Sequence, residues 1–108
     1  MFAAFDELRG YTESDVLMQG VAKKRSYLIL SPSRTLFIFK DGAFAYFAIS
    51  RSKVILKAYF RPGQMYRARV DGRKLDLVTA KKTYYFSFET NESALRWRQA
   101  FALRSLPK

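Results

Sequence analysis

A chain of 108 residues can bury one hydrophobic core but not two, and with no cysteine it has neither a disulfide framework nor a thiolate for nucleophilic or zinc chemistry. Its composition, 49% hydrophobic and 17% aromatic, is far from that of a disordered segment. Twenty Lys and Arg against nine Asp and Glu leave a formal charge of +11, a field that favours a polyanionic partner, either nucleic acid or anionic lipid.

From the amino terminus, MFAAFDELRG lacks the basic-then-apolar pattern of a secretory leader, and residues 2–8 read as a short helix on an extension spanning 1–14. No apolar run approaches the ~20 residues needed to cross a bilayer. Turn signals then recur every eight to twelve residues between β-rich segments, which predicts a small antiparallel sandwich or barrel. Strands are expected at 26–31 (SYLILS) and 34–40 (RTLFIFK), separated by Pro32-Ser33, and Asp41-Gly42 offers a tight turn into 43–49. Further strands are read at 54–60, at 65–70 (MYRARV), at 75–79 and at 83–89, where Tyr84, Phe86 and Phe88 share a face.

The period then changes. Ala94, Trp97, Ala100 and Phe101 fall on one face of an α-helix, with Thr90 or Asn91 available as cap, Glu92 in the first turn and Pro107 beyond the end. A barrel leaves one end open, and Trp97 is placed to plug it.

This arrangement resembles the pleckstrin-homology (PH) family over roughly residues 15–103. Thr83-Tyr84-Tyr85-Phe86, Asn91-Glu92 and Trp97-Arg98-Gln99-Ala100-Phe101 look like that family's closing strand and its helix with a near-invariant tryptophan. Lys23-Lys24-Arg25-Ser26-Tyr27-Leu28-Ile29-Leu30 resembles the second strand of its phosphoinositide-binding members. The resemblance implies a mainly β fold: a seven-stranded antiparallel barrel or sandwich of two orthogonal sheets, capped by a C-terminal α-helix. It makes residues 1–108 a single domain with its core at about 15–105.

By the same resemblance Lys23 and Arg25 would point at an inositol phosphate, with Lys24 facing otherwise but adding to the field. The loops after the first, third and sixth strands would supply Lys23, Lys40, Arg51, Lys53, Lys81 and Lys82 to a basic rim. The expected function is membrane targeting through anionic phospholipid headgroups, phosphoinositide or phosphatidic acid, at the cytoplasmic face of a membrane. Gln19 in place of a lysine, a short Gly20-Val21-Ala22 connection and Phe37-Ile38-Phe39 in place of a strand-three tyrosine point to modest headgroup selectivity.

Residues 43–49 are apolar on both alternating faces beside Lys40, Arg51 and Lys53. Two readings stand: a strand packed on both faces, or a membrane wedge inserting Phe44, Tyr46 and Phe47. With 54–60 this segment also makes one β element more than the fold needs.

No histidine, cysteine, paired carboxylate motif, P-loop or dinucleotide signature is present, so no enzymatic activity, metal or cofactor is expected. A protein-binding module of the PH or phosphotyrosine-binding type is the alternative, and RNA or single-stranded DNA on a basic aromatic sheet, as in Tyr66-Arg67-Ala68-Arg69, is the third.

Overall fold

The computed structural model describes residues 11–25, 32–51, 53–64 and 66–104. The expected strand at 26–31, Met65, the amino-terminal segment 2–8 and Pro107 lie outside the described residues. A short 3₁₀ turn, Glu13–Asp15, leads into seven strands: β1 (Val16–Lys24), β2 (Ser33–Phe39), β3 (Phe44–Ser50), β4 (Lys53–Phe60), β5 (Arg67–Asp71), β6 (Lys74–Val78) and β7 (Thr83–Ser87). One helix, α1 (Asn91–Arg104), follows.

Every pairing is antiparallel, in the order β4-β3-β2-β1-β7-β6-β5. The β1–β2 ladder runs from Val16↔Phe39 to Lys23↔Ser33, whereas β1 meets β7 only at Lys23↔Ser87 and Lys24↔Phe86. The two halves of the sheet are therefore joined at the end of β1 and diverge below it, and α1 closes the divergence.

Trp97, buried on the inner face of α1, lies against the one β1 position without a side chain. A Cβ on Gly20 would stand 3.0 Å from the indole Cζ2. Thr90 caps the helix, its Oγ1 accepting from the Ser93 N–H at 3.0 Å. Trp97 packs on Phe88 (6.0 Å between centroids) and Phe101 on Phe44 (4.9 Å, edge to face).

β1 runs unbroken through Gly20, Val21 and Ala22 to Lys24, so these residues are strand and not a connection. Residues 34–40 consequently belong to the second strand, and 43–49 and 54–60 are the third and fourth.

β2 and β3 are apolar on both faces because both faces are covered. Leu36, Ile38, Phe44 and Tyr46 enter the main core with Leu75, Leu77, Phe86 and the helix, while Phe37, Phe39, Ala45 and Phe47 form a second cluster on the opposite face. Tyr11 packs on that second cluster, 4.2 Å from the Phe39 ring, and its hydroxyl meets Asp41 at 2.5 Å and the Tyr59 hydroxyl at 3.0 Å. Burial, with these two hydrogen bonds, raises the Tyr11 hydroxyl well above the ordinary tyrosine range.

The membrane wedge is thereby corrected. Phe44 and Phe47 have no exposed surface and Tyr46 is 5% exposed, so none is available to a bilayer. Each fully buried aromatic contributes about 2–3 kcal/mol to folding.

Candidate functional site: the cationic open end

Antiparallel topology brings the β1–β2, β3–β4 and β6–β7 connections to one end of the barrel, where β1 finishes and β7 begins. The β2–β3 turn lies at the other end, since Lys40 N–H bonds the Asp15 carbonyl ahead of β1. Lys40 is separated from the open end by the length of β2, about 23 Å for seven residues at ~3.3 Å each. Its assignment to the same rim as Lys23 is corrected accordingly.

The three consecutive cations Lys23, Lys24 and Arg25 go to three different places, and the sequence-based orientation is reversed. Strand alternation sets Lys24 on the face of Ala22, which is in the main core, and turns Lys23 outward. The Lys24 ammonium lies 5.5 Å from the Tyr84 ring centre and 6.0 Å from that of Phe86. Arg25 turns to the outside of the β6–β7 half. There it pairs with Asp76, donates from Nε to the Phe86 carbonyl at 3.1 Å and covers the Tyr85 ring at 5.2 Å. It serves as a tie between β1 and the second half of the sheet.

Two further cations converge on Lys24. The Lys82 ammonium stands 4.5 Å from the centre of the same Tyr84 ring. Its turn is held by Thr79, whose hydroxyl donates to the Lys82 carbonyl at 2.7 Å and accepts from the Lys82 N–H at 3.1 Å. Arg34, absent from the sequence-based candidates, sits directly across from Ala22 in the β1–β2 ladder and so shares the inward face. Its Nη1 donates to the Ser33 carbonyl at 3.1 Å, while its Nε is buried without a hydrogen-bond partner among the described residues.

The electrostatics report this crowding. Burial lowers the Lys24 ammonium below the ordinary lysine range, and the positive charges of Lys82, Arg34 and Arg25 lower it further. Burial pushes the Tyr46 hydroxyl up to about 12, with Tyr84 raising and Arg34 lowering it.

Arg51 and Lys53 flank the β3–β4 turn at this same end, Arg51 in the left-handed region at φ 49°. Lys81 is exposed on the β6–β7 turn. The site therefore has an inner set, Lys24 and Arg34 on strands with the exposed Lys82 reaching over Tyr84 from the β6–β7 turn, and an outer set of turn cations. Three clustered cations beside aromatic rings, with no carboxylate acting on Lys24 among the described residues, are suited to holding an anion that brings its own acceptor oxygens. Among the described residues no group of three acidic, histidine or cysteine side chains could hold a metal ion.

Arg34 was missed because its role depends on pairing. Only when β1 is extended through Lys24 do Ala22 and Arg34 become cross-strand neighbours. The signal was the strand alternation Arg34-Leu36-Ile38 on one face against Phe37-Phe39 on the other.

No protein-family model and no curated protein matches the sequence. Solved structures do match in fold. The DH/PH domains of p115-RhoGEF superpose with a TM-score of 0.73 at 11% identity, covering 86% of this chain and 31% of that one. The C-terminal PH domain of pleckstrin in complex with D-myo-Ins(1,2,3,4,5)P5 gives 0.67 at 14% identity, covering 84% and 99%. The N-terminal PH domain of human ARAP2 gives 0.66 at 19% identity, covering 90% and 84%. Thus this chain spans under a third of the p115-RhoGEF structure and most of the two single domains. Seven antiparallel strands, closed by a C-terminal helix whose buried tryptophan fills the divergence of the sheet, give this chain the pleckstrin-homology fold.

Proposed function

We propose that this chain is a non-catalytic membrane-targeting module that binds anionic phospholipid headgroups, phosphatidic acid or a phosphoinositide, at the open end of the barrel. The observation that carries the reading is the clustering of Arg34 and Lys82 around Lys24 at the open end, with a buried Arg34 Nε that finds no acceptor among the described residues. A buried donor left in that state costs about 1–3 kcal/mol, and a phosphate oxygen removes that cost. The likeness to a pleckstrin domain in complex with an inositol polyphosphate supports phosphate as the ligand chemistry.

Three clustered cations match one phosphate monoester better than several, which keeps headgroup selectivity modest. The reason differs from the one the sequence suggested, because Gly20 to Ala22 is strand and Gln19 is not at the rim. Arg51, Lys53 and Lys81 act as the outer field, each cation near an anionic leaflet contributing about 1 kcal/mol. Docking of this kind is peripheral and salt-sensitive, at the cytoplasmic face where anionic lipid is concentrated.

Sedimentation with phosphatidylcholine vesicles carrying phosphatidic acid or a monophosphorylated phosphoinositide, at two salt concentrations, tests the reading. Pelleting should fall on Lys24→Ala, Arg34→Ala and Lys82→Ala and persist on Lys40→Ala. Absence of pelleting on every composition refutes it, and so does retention on single-stranded RNA combined with indifference to vesicles.

A further inference from the structure

Lys24 is the one described lysine that is not exposed, and its surroundings are cations and aromatic rings, with no carboxylate acting on it among the described residues. β1 fixes its backbone, with the N–H on the Pro32 carbonyl at 2.9 Å and the residue paired to Phe86 across the seam. Its ammonium lies 5.5 Å from the Tyr84 ring centre, and the Lys82 ammonium lies 4.5 Å from the same centre. Arg34 acts on it from the facing strand, with a buried Nε that has no acceptor among the described residues.

Two consequences follow for the Lys24 nitrogen. Burial, with the positive charges of Lys82, Arg34 and Arg25, lowers the ammonium below the ordinary lysine range, which enlarges the share of free amine, the form that attacks electrophiles. The same cations that disfavour its proton attract phosphate, and so bring a phosphate-bearing electrophile to the amine. In an acyl phosphate the carbonyl carbon is one bridging oxygen away from phosphorus. A phosphate held by Arg34 and Lys82 therefore sets that carbon beside Lys24.

We infer that Lys24 is a self-acylation site for acyl phosphates, and that its acylation releases the domain from anionic lipid. The inference rests on the headgroup site proposed above, whose phosphate chemistry it shares. In the step, the free amine attacks the carbonyl carbon and an N–C bond forms. The C–O bond to phosphate breaks, its electron pair leaves with inorganic phosphate, and the amine proton ends on that phosphate; nothing is oxidised or reduced. Arg34 and Lys82 stabilise the charge that builds on the leaving group. The product is a neutral amide in place of one of the three clustered cations, which removes a phosphate-binding charge.

The test is incubation of the full chain with acetyl phosphate at neutral pH, followed by peptide mass spectrometry of each lysine. Lys24 should be acetylated at least about tenfold faster than exposed Lys40 at the other end of the barrel, a small part of what holding two reactants together can supply. Inorganic phosphate and Arg34→Met should each remove that preference and leave Lys40 unchanged. The preference should be smaller with N-acetoxysuccinimide, an acetyl donor without phosphate. Treated wild type should lose affinity for phosphatidic acid vesicles by about tenfold, with a melting curve to show that the fold persists, whereas Lys24→Arg should pellet equally before and after treatment. Acetylation of Lys24 no faster than of Lys40, a preference that survives Arg34→Met and inorganic phosphate, or equal loss of pelleting in wild type and Lys24→Arg each overturns the inference while leaving the lipid reading intact. If the untreated protein pellets with no vesicle, the lipid reading itself fails and the release fails with it, whatever the occupancy of Lys24.

Discussion

Arg34→Met should raise the stability of the free protein and lower its affinity for anionic vesicles, opposite signs from one substitution. Methionine keeps the apolar stem that lies on the inward face opposite Ala22 and removes the guanidinium. What is lost in the free protein is one Nη1 hydrogen bond to Ser33, local in sequence, and what is relieved is a buried Nε without a partner among the described residues. An unsatisfied buried donor costs about 1–3 kcal/mol against about 1 kcal/mol for the hydrogen bond given up. Repulsion of Lys24 by the Arg34 charge is relieved as well. A net gain of about 1 kcal/mol corresponds to a rise in Tm of about 4–8 °C for a domain of this size. In the complex the same guanidinium makes charge-assisted bonds worth about 1.5–3 kcal/mol, so vesicle affinity should fall roughly 10- to 100-fold. Thermal melts in vesicle-free buffer and sedimentation on phosphatidic acid vesicles give the two readouts. A lower Tm with undiminished binding would refute the reasoning, because it would make Arg34 a structural residue satisfied within the fold.

Three other outcomes follow from the geometry. Gly20→Val should destabilise by about 2–3 kcal/mol, because its Cβ alone meets the Trp97 ring at 3.0 Å, and Trp97→Phe should recover part of the loss in a double-mutant melt. Phe47→Asp should abolish cooperative unfolding by circular dichroism, since it buries a carboxylate in the second apolar cluster; a folded variant deficient only in vesicle binding would restore the wedge reading. Lys24 should make stability rise with pH. Its folded pKa is lowered below the ordinary value of 10.5, so between the two values the unfolded chain binds more protons and alkali favours the folded state. The window closes near pH 10, where Tyr46, raised from 10.0 to about 12, begins to act in the opposite direction. Comparing melts of the wild type with Lys24→Met isolates the effect from the general relief of net charge, and equal slopes would exclude it.

The fold was legible where side-chain period and turn chemistry agreed. Asp41-Gly42 gave the β2–β3 turn, with Gly42 at φ 96°, and the spacing of Ala94, Trp97 and Phe101 gave the inner face of α1. Illegible was the length of the first strand. Gly20 looks like punctuation in a strand pattern, and only the approach of Trp97 explains it as a place where no side chain fits. That one misreading shifted every strand number up to β4 and hid Arg34. The orientation of Lys23, Lys24 and Arg25 was likewise beyond composition, because it depends on which residues of β1 also pair with β7. The apolar character of 43–49 was visible from the start, but choosing core over membrane required seeing that β2 and β3 have clusters on both faces.

Cations on strands and cations on turns should act on different steps of docking. Lys24 is fixed from both sides, its N–H bonding the Pro32 carbonyl at 2.9 Å and its backbone paired with Phe86, and Arg34 is held in the β1–β2 ladder. Their side chains converge before any ligand arrives, so the ordering cost on binding is small and their contribution should appear in how long the headgroup is held. Arg51 and Lys81 stand exposed on turns, where they shape the long-range field and lose contact with water only in part. Stopped-flow mixing with anionic vesicles should therefore show Lys24→Ala and Arg34→Ala raising the dissociation rate at nearly constant association rate. Arg51→Ala and Lys81→Ala should lower the association rate and flatten its salt dependence. If all four variants altered only the association rate, the inner set would be no more than part of the field, and the headgroup site would reduce to a charged surface.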